Sequence, residues 1–366
     1  MCASRQKIHE RQEVEQQFPL PPIINAPLRI PLHDEKSHSV FTIAAVGDIM
    51  LAGSALSVIQ FNGYDYPFDS TKSVLSQADL TIGNLEAPFT AREKAFDKKY
   101  TFRVPPEWAH GLKNAGFDVL NLANNHMLDY GPEGMFDTIA VLDSLGIAHC
   151  GAGENYALAS QAVVAHIDQF KIGCLGFSMT FPEEFWAEQN KPGTAFATET
   201  RLKKAIKEIP VDVDFLIVSF HWGAELMTEP KEYQQDFAHK AIDLGADIVL
   251  GHHAHILQGV EIYKNKLIIY GLGNFAFGSY SKNSKESIIL KVYMGSSGPL
   301  FAQVFPISVD NYKITFQPRL LYGTDKMNVL NYISEISSEL NGGKDIIDNK
   351  GAIWISALIT SLCTNR

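Results

Sequence analysis

Gly251-His252-His253-Ala254-His255 places three imidazoles in four residues, directly after the apolar run 248–250. Burying them without partners is costly, so the group calls for metal ions or a dense hydrogen-bond network. Alternate side chains of an extended segment share a face, which sets His253 and His255 on one side and His252 on the other. That spacing predicts His253 and His255 as ligands and His252 as a neighbour that supports them.

Other polar residues sit in equivalent places. Run 41–46 delivers Asp48; 80–82 delivers Asn84 and Glu86; 119–123 delivers Asn124, Asn125 and His126; 215–219 delivers His221; and 267–270 delivers Asn274. The runs read as buried strands. Ligands of open α/β sheets bind beyond the carboxyl ends of strands, so residues remote in sequence can meet in one crevice. Asp48 alone also fits a turn, Asn84 and Glu86 a cap, and His221 a hydrogen-bonded core histidine.

Together the set offers carboxylate, amide and imidazole donors, which suit one or two divalent ions of Mn, Fe or Zn. A cation pair about 3.5–4 Å apart can share a carboxylate and activate water for displacement at phosphorus or carbonyl carbon. Asn124 or Asn125 supplies an amide oxygen for a metal. His126, with Asp129 to orient it and keep it protonated, has the make-up of a general acid. Between 91 and 103, Arg92, Lys94, Lys98, Lys99 and Arg103 outnumber Glu93 and Asp97. This basic loop is either a solvated surface or the place where an anionic polymer is met.

The elements that must position these groups alternate short apolar runs with amphipathic segments from Val40 onward, the pattern of an α/β fold. Pro132 and Pro106 start helices that stop near Gly146 and Gly116, and Tyr233, Phe237 and Ala241 stripe a third before Gly245. After Ser287 strand-like runs cover 288–294, 301–309 and 312–321, expected to complete a second sheet. Val329, Leu330, Ile333, Ile336 and Leu340 mark a helix over 327–340. Three regions follow: a proline-rich arm or tether at 1–38, a catalytic domain at 39–325 and a C-terminal helical tail at 326–366.

The chain has 366 residues, 46% hydrophobic, with net charge -10. That charge, with no long basic stripe, argues against a nucleic-acid partner. Cys2, Cys150, Cys174 and Cys363 form no metal or disulfide spacing. No run reaches the roughly 20 apolar residues of a membrane span. No apolar stretch precedes Met1-Cys2-Ala3-Ser4, so no signal peptide is expected as written; in a processed chain Cys2 would be the lipid-bearing first residue of a lipoprotein.

Seven strings share a further property: Val46-Gly47-Asp48-Ile49-Met50, Gly83-Asn84-Leu85-Glu86, Phe102-Arg103-Val104-Pro105-Pro106, Leu122-Ala123-Asn124-Asn125-His126 through Asp129-Tyr130-Gly131, His221-Trp222-Gly223-Ala224-Glu225, Gly251-His252-His253-Ala254-His255 and Gly271-Leu272-Gly273-Asn274-Phe275. Together, over about 41–277, they resemble the CapA-type poly-gamma-glutamate capsule biosynthesis proteins of bacteria. The resemblance implies a four-layer α/β/β/α sandwich of two mixed β-sheets, as in calcineurin-like metallophosphatases. It also implies a place at the cell envelope, extracytoplasmic or membrane-associated, with poly-gamma-glutamate or a phosphorylated substrate, and capsule synthase membrane subunits, as partners.

Set against the phosphoesterase pattern, Asn125-His126 looks like its Asn-His signature, His221 like its lone strand-end ligand, and His253 and His255 like its paired ligands. Metal ligation is therefore expected of Asp48, Glu86, Asn125, His221, His253 and His255, and catalysis of His126 and Asp129. Asn84, Asn124, Arg103, Glu225, His252 and Asn274 are expected around them or against substrate. Two departures stand out: Met50 replaces the histidine of Asp-x-His, and Glu86 stands where an Asp is usual. The expected function is a metal-dependent hydrolase acting on an anionic polymer or its carrier linkage. The alternatives are a non-catalytic scaffold of the synthesis-export complex and a general metallophosphodiesterase.

Overall fold

The computed structural model describes residues 40–209 and 212–356. The arm expected at 1–38, with Cys2 and Cys363, lies outside them.

Strand Phe41–Met50 is buried along almost its whole length. Burial on both faces makes it read as a continuous apolar run. It runs parallel to Leu80–Leu85, which continues through Val119–Asn121 to Ala148–Cys150. On its other side Glu286–Gly295 lies antiparallel and turns back into Gly298–Ser308. The second sheet follows a similar plan. Phe170–Ser178, Phe215–His221, Ile248–His252 and Lys266–Ile269 are parallel, and antiparallel strands Val163–Ile167 and Val260–Tyr263 form its edges.

Three apolar clusters separate four layers. Ile43, Ala45 and Ile82 of the first sheet share one cluster with Cys174, Ile217 and Leu250 of the second. Ala44 and Val46 share another with Leu112, Met135 and Leu142 of helices Ala109–Ala115 and Gly131–Ser144. The alternation of 43 and 45 with 44 and 46 is the two-residue period of a strand with both faces covered. On the far side, Leu175, Val218 and Val249 meet Leu202, Ala238 and Ala241 of helices Glu199–Lys207 and Glu232–Asp243. The molecule is thus the expected α/β/β/α sandwich with two mixed sheets.

Three expectations change. The strands after Ser287 extend the first sheet instead of building another. Segment 312–321 is a short helix, Asn311–Ile314, and a two-residue strand, Arg319–Leu320. Positive φ at Thr315 (52°) and Phe316 (61°) breaks the extended chain between them. The tail does provide a helix, Gly323–Ser338, but Val329, Leu330 and Ile333 enter the inter-sheet core. Ala352–Trp354 then pairs with Gly298–Ser308, so the described part of 326–366 is woven into the sandwich.

One connection matters for the site. After Lys266–Ile269 the chain leaves the second sheet through Gly271-Leu272-Gly273 and enters the first as Asn274–Phe277, parallel to Phe41–Met50. A Cβ on Gly47 would lie 1.8 Å from the Gly273 carbonyl oxygen. Glycine at 47 lets the backbones approach closely enough for Asp48 N–H to donate to that oxygen at 3.0 Å.

Candidate metal centre

The carboxyl ends of the parallel strands of both sheets meet at one place. Asp48 and Glu86 come from the first sheet, and His221 and the His252 to His255 segment from the second. Glu86, His221 and His253 offer ligand atoms within 4.8 Å of one another, as do Asp48, Glu86 and His255. Glu86 belongs to both groups. It is fully buried, and neither of its oxygens has a hydrogen-bond partner. Buried carboxylates normally collect donors, so a pair of vacant oxygens among imidazoles fits a divalent cation.

The neighbours of Asp48 are dense. Asn84 Nδ2 donates to its Oδ1 at 2.8 Å, and His253 N–H donates to its Oδ2 at 3.2 Å. His255 Nδ1 lies 3.2 Å from Oδ2, and His252 Nδ1 lies 3.4 Å from Oδ1. Asn84 Oδ1 in turn accepts from Asn121 at 2.9 Å and Asn124 at 3.2 Å. Asn125 Oδ1 sits 2.8 Å from His221 Nε2, which brings that amide to the same centre.

Electrostatics sort these groups. Burial raises the Asp48 carboxyl, but the close approach of the His252 and His255 rings, and their charge, outweigh it and hold the group well below its usual value. Burial and then the charge of Asp48 push Glu86 well above its own. Burial, then the nearby His253, lowers His221; burial, then His255, brings His253 down to about 3. Both rings are therefore neutral at pH 7, the form that binds metals. Burial also works against charge on His255, yet Glu86 and Asp48 more than offset it and raise the ring to about 9.

The His252 to His255 segment reaches this geometry differently from the expectation. The strand ends at His252, and His253 and His255 have φ of 88° and 59°, so the chain turns instead of staying extended. His126 has the predicted partner, with Nδ1 2.8 Å from Asp129 Oδ2. The predicted protonation does not follow: burial lowers the ring by more than Asp129 raises it, and Lys98 and His255 oppose a charge there. Asn274 Oδ1 lies 3.0 Å from His255 Nδ1. Glu225 is exposed and acts on Glu86 and His255 through its charge.

The Arg103 guanidinium donates to the carbonyls of Ala91 and Arg92 and stacks over Tyr130, 5.1 Å from the ring centre. The inward cation is Lys98, which contacts Asp129 and the Asn125 carbonyl. Its type did not separate it from Lys94 or Lys99. Asn121 was also missed, although a lone amide inside the apolar run 119–123 was a readable signal.

Residues 42–279 match the family described as Bacterial capsule synthesis protein PGA_cap. The chain belongs to that family. Relatives include the Capsule biosynthesis protein CapA of Bacillus anthracis, 32% identical over 282 residues that cover 75% of this chain and 69% of that one. The PGA biosynthesis protein CapA of Bacillus subtilis (strain 168) is 30% identical over 317 residues, covering 86% and 82%. Among solved structures, a 5'-nucleotidase precursor from Thermus thermophilus superposes with TM-score 0.44 at 13% identity, covering 77% of this chain and 55% of that one. The chain is thus a CapA-like capsule biosynthesis protein whose strand ends gather a divalent-metal type of ligand set. No helix among the described residues is long and apolar enough to cross a membrane.

Proposed function

We propose that this PGA_cap protein is a metal-dependent hydrolase of poly-glutamate metabolism at the cell envelope, cleaving an amide, phosphoester or carrier linkage of an anionic polymer. The observation that supports it is Glu86, buried with both oxygens vacant and shared by two histidine-containing groups. Asp48, Glu86, His255, His221, His253 and Asn125 would hold one or two divalent ions. Such ions supply an activated water at neutral pH and stabilise negative charge developing at the scissile centre. Asp129 holds His126 by Nδ1, which leaves Nε2 as the nitrogen for a substrate. Exposed Lys94 and Lys99 of the loop 91–103 would give an acidic chain its local attraction for an anion.

The test is metal analysis of purified protein with hydrolysis assays on poly-gamma-glutamate and a phosphodiester, before and after loading with Mn, Fe or Zn. A folded chain that takes up none of them overturns the reading. A scaffold role in the polymer-making complex is the second reading, favoured by Met50. That side chain is 1% exposed and packed in the outer core, where an Asp-x-His site carries an imidazole. Unchanged capsule output from a folded His126→Ala protein would select it.

A further inference from the structure

Loop residues 96–102 are strapped to a single side chain and its backbone. Phe96 N–H donates to Asp129 O at 2.8 Å, and Phe102 N–H donates to Asp129 Oδ2 at 2.7 Å. Between these, Lys98 Nζ meets Asp129 Oδ1 at 2.5 Å. Asp129 is fully buried, so these donors answer a charge that has no water to turn to. The ammonium also donates to the Asn125 carbonyl at 2.5 Å, lies 3.2 Å from His126 Nδ1 and sits 5.0 Å over the Phe185 ring. Phe96 packs edge-on against the same ring at 5.0 Å. Phe185 belongs to the loop after strand Phe170–Ser178, so Lys98 lies where a loop of each sheet meets the segment 125–129.

We propose that Lys98 is a positioning residue of the metal centre: through Asp129 and the Asn125 carbonyl it fixes Asn125 and His126 against the ligands of the second sheet. It does not serve as a free cation for substrate, because its donors are already directed at the protein. Asn125 can present its amide to the centre, 2.8 Å from His221 Nε2, only while its own backbone is held. Outer partners that hold a ligand typically change metal affinity by about 10–100-fold when removed. The role rests on the metal reading above, so its test needs one measurement that requires no metal.

That measurement is hydrogen exchange on the metal-free full chain. Lys98→Met should lower protection of the Phe96 and Phe102 amides by at least about tenfold relative to wild type, and Lys98→Arg should restore most of it. Calorimetric titration with Mn2+ alone then follows. Lys98→Met should bind about tenfold or more weakly at the Asn125 side, while Lys98→Arg stays within a few-fold of wild type. Wild-type Mn2+ affinity in a folded Lys98→Met protein overturns the positioning role and leaves the metal reading standing. Absence of Mn2+ binding in wild type overturns both. Asp129→Asn is the second variant: it keeps the side-chain shape and removes the charge that Lys98 answers, and unchanged exchange at Phe96 and Phe102 in it overturns the strap.

Discussion

Asp48 and Glu86 stand at the ends of adjacent parallel strands and share one imidazole, yet their carboxyls are driven in opposite directions. His255 Nδ1 lies 3.2 Å from Asp48, and its Nε2 lies 3.8 Å from Glu86. Donors and imidazoles crowd Asp48 and keep it ionised, whereas at Glu86 burial and the charge of Asp48 outweigh the pull of His255 and Lys98, and neither oxygen has a hydrogen-bond donor. An added cation therefore has most to offer Glu86.

Glu86→Gln keeps the side-chain shape and fixes the neutral form towards which burial already drives this carboxyl. Without metal the variant should unfold within about 1 kcal/mol of wild type, since one neutral buried polar group replaces another. With Mn2+ or Zn2+ it should lose the rise in unfolding midpoint that ligand binding gives the native protein. Urea titrations with and without metal read both effects, and an equal metal-induced rise in variant and wild type would count against Glu86 as the shared ligand.

The histidines predict a pH dependence. His255 is raised to about 9 in the folded metal-free chain, above the value of 6.5 expected when unfolded, so the native state binds its proton more tightly. Its contribution is complete below about pH 6.5 and is lost as pH rises through about 9. Glu86, also raised, acts with the same sign from lower pH. Metal-free stability should therefore fall between about pH 6.5 and 9, while metal affinity rises as the proton is displaced. Calorimetry in buffers of different ionisation enthalpy should record proton release at pH 7; binding without it would contradict the assignment of His255.

Gly47→Ala should destabilise the protein by about 2–4 kcal/mol, since a methyl group 1.8 Å from the Gly273 oxygen forces two backbones apart. The same movement displaces Asp48, so metal affinity should drop with the unfolding midpoint.

Ending the chain at residue 325 would remove Val329, Leu330 and Ile333 from the inter-sheet core and Ala352–Trp354 from the first sheet. At about 1.5–3 kcal/mol for each buried aliphatic side chain, the loss rivals the total stability of a typical domain. The truncated chain should be insoluble or lack a near-ultraviolet circular dichroism signal.

Cys150 and Cys174 are buried thiols raised by desolvation, Cys150 to about 12. Neither should react with a thiol reagent until the chain unfolds, as peptide mass spectrometry of labelled protein would show.

Much of this site was legible because parallel strands covered on both faces read as apolar runs, which leaves the polar residue at each carboxyl end conspicuous. Asp48, Glu86, His221 and the His252 to His255 segment stood out on that account. Lys98 did not, since a cation in a polar loop looks the same whether it faces water or Asp129. The stretch 312–321 misled because its spaced apolar residues imitate a strand, while two left-handed residues, Thr315 and Phe316, carry no strong signal in their side chains. The histidine pair came out of a spacing rule for extended chain, although the backbone at His253 turns.

The crossing through Gly271-Leu272-Gly273 gives the centre an assembly requirement. Asp48 and Glu86 belong to one sheet, and His221, His253 and His255 follow strands of the other. Neither half can bind an ion tightly until the two have docked, and an ion bound there would act as a rivet between them. The metal-loaded protein should consequently resist separation of its halves, and a fragment carrying either sheet would present half a claw with nothing to grip.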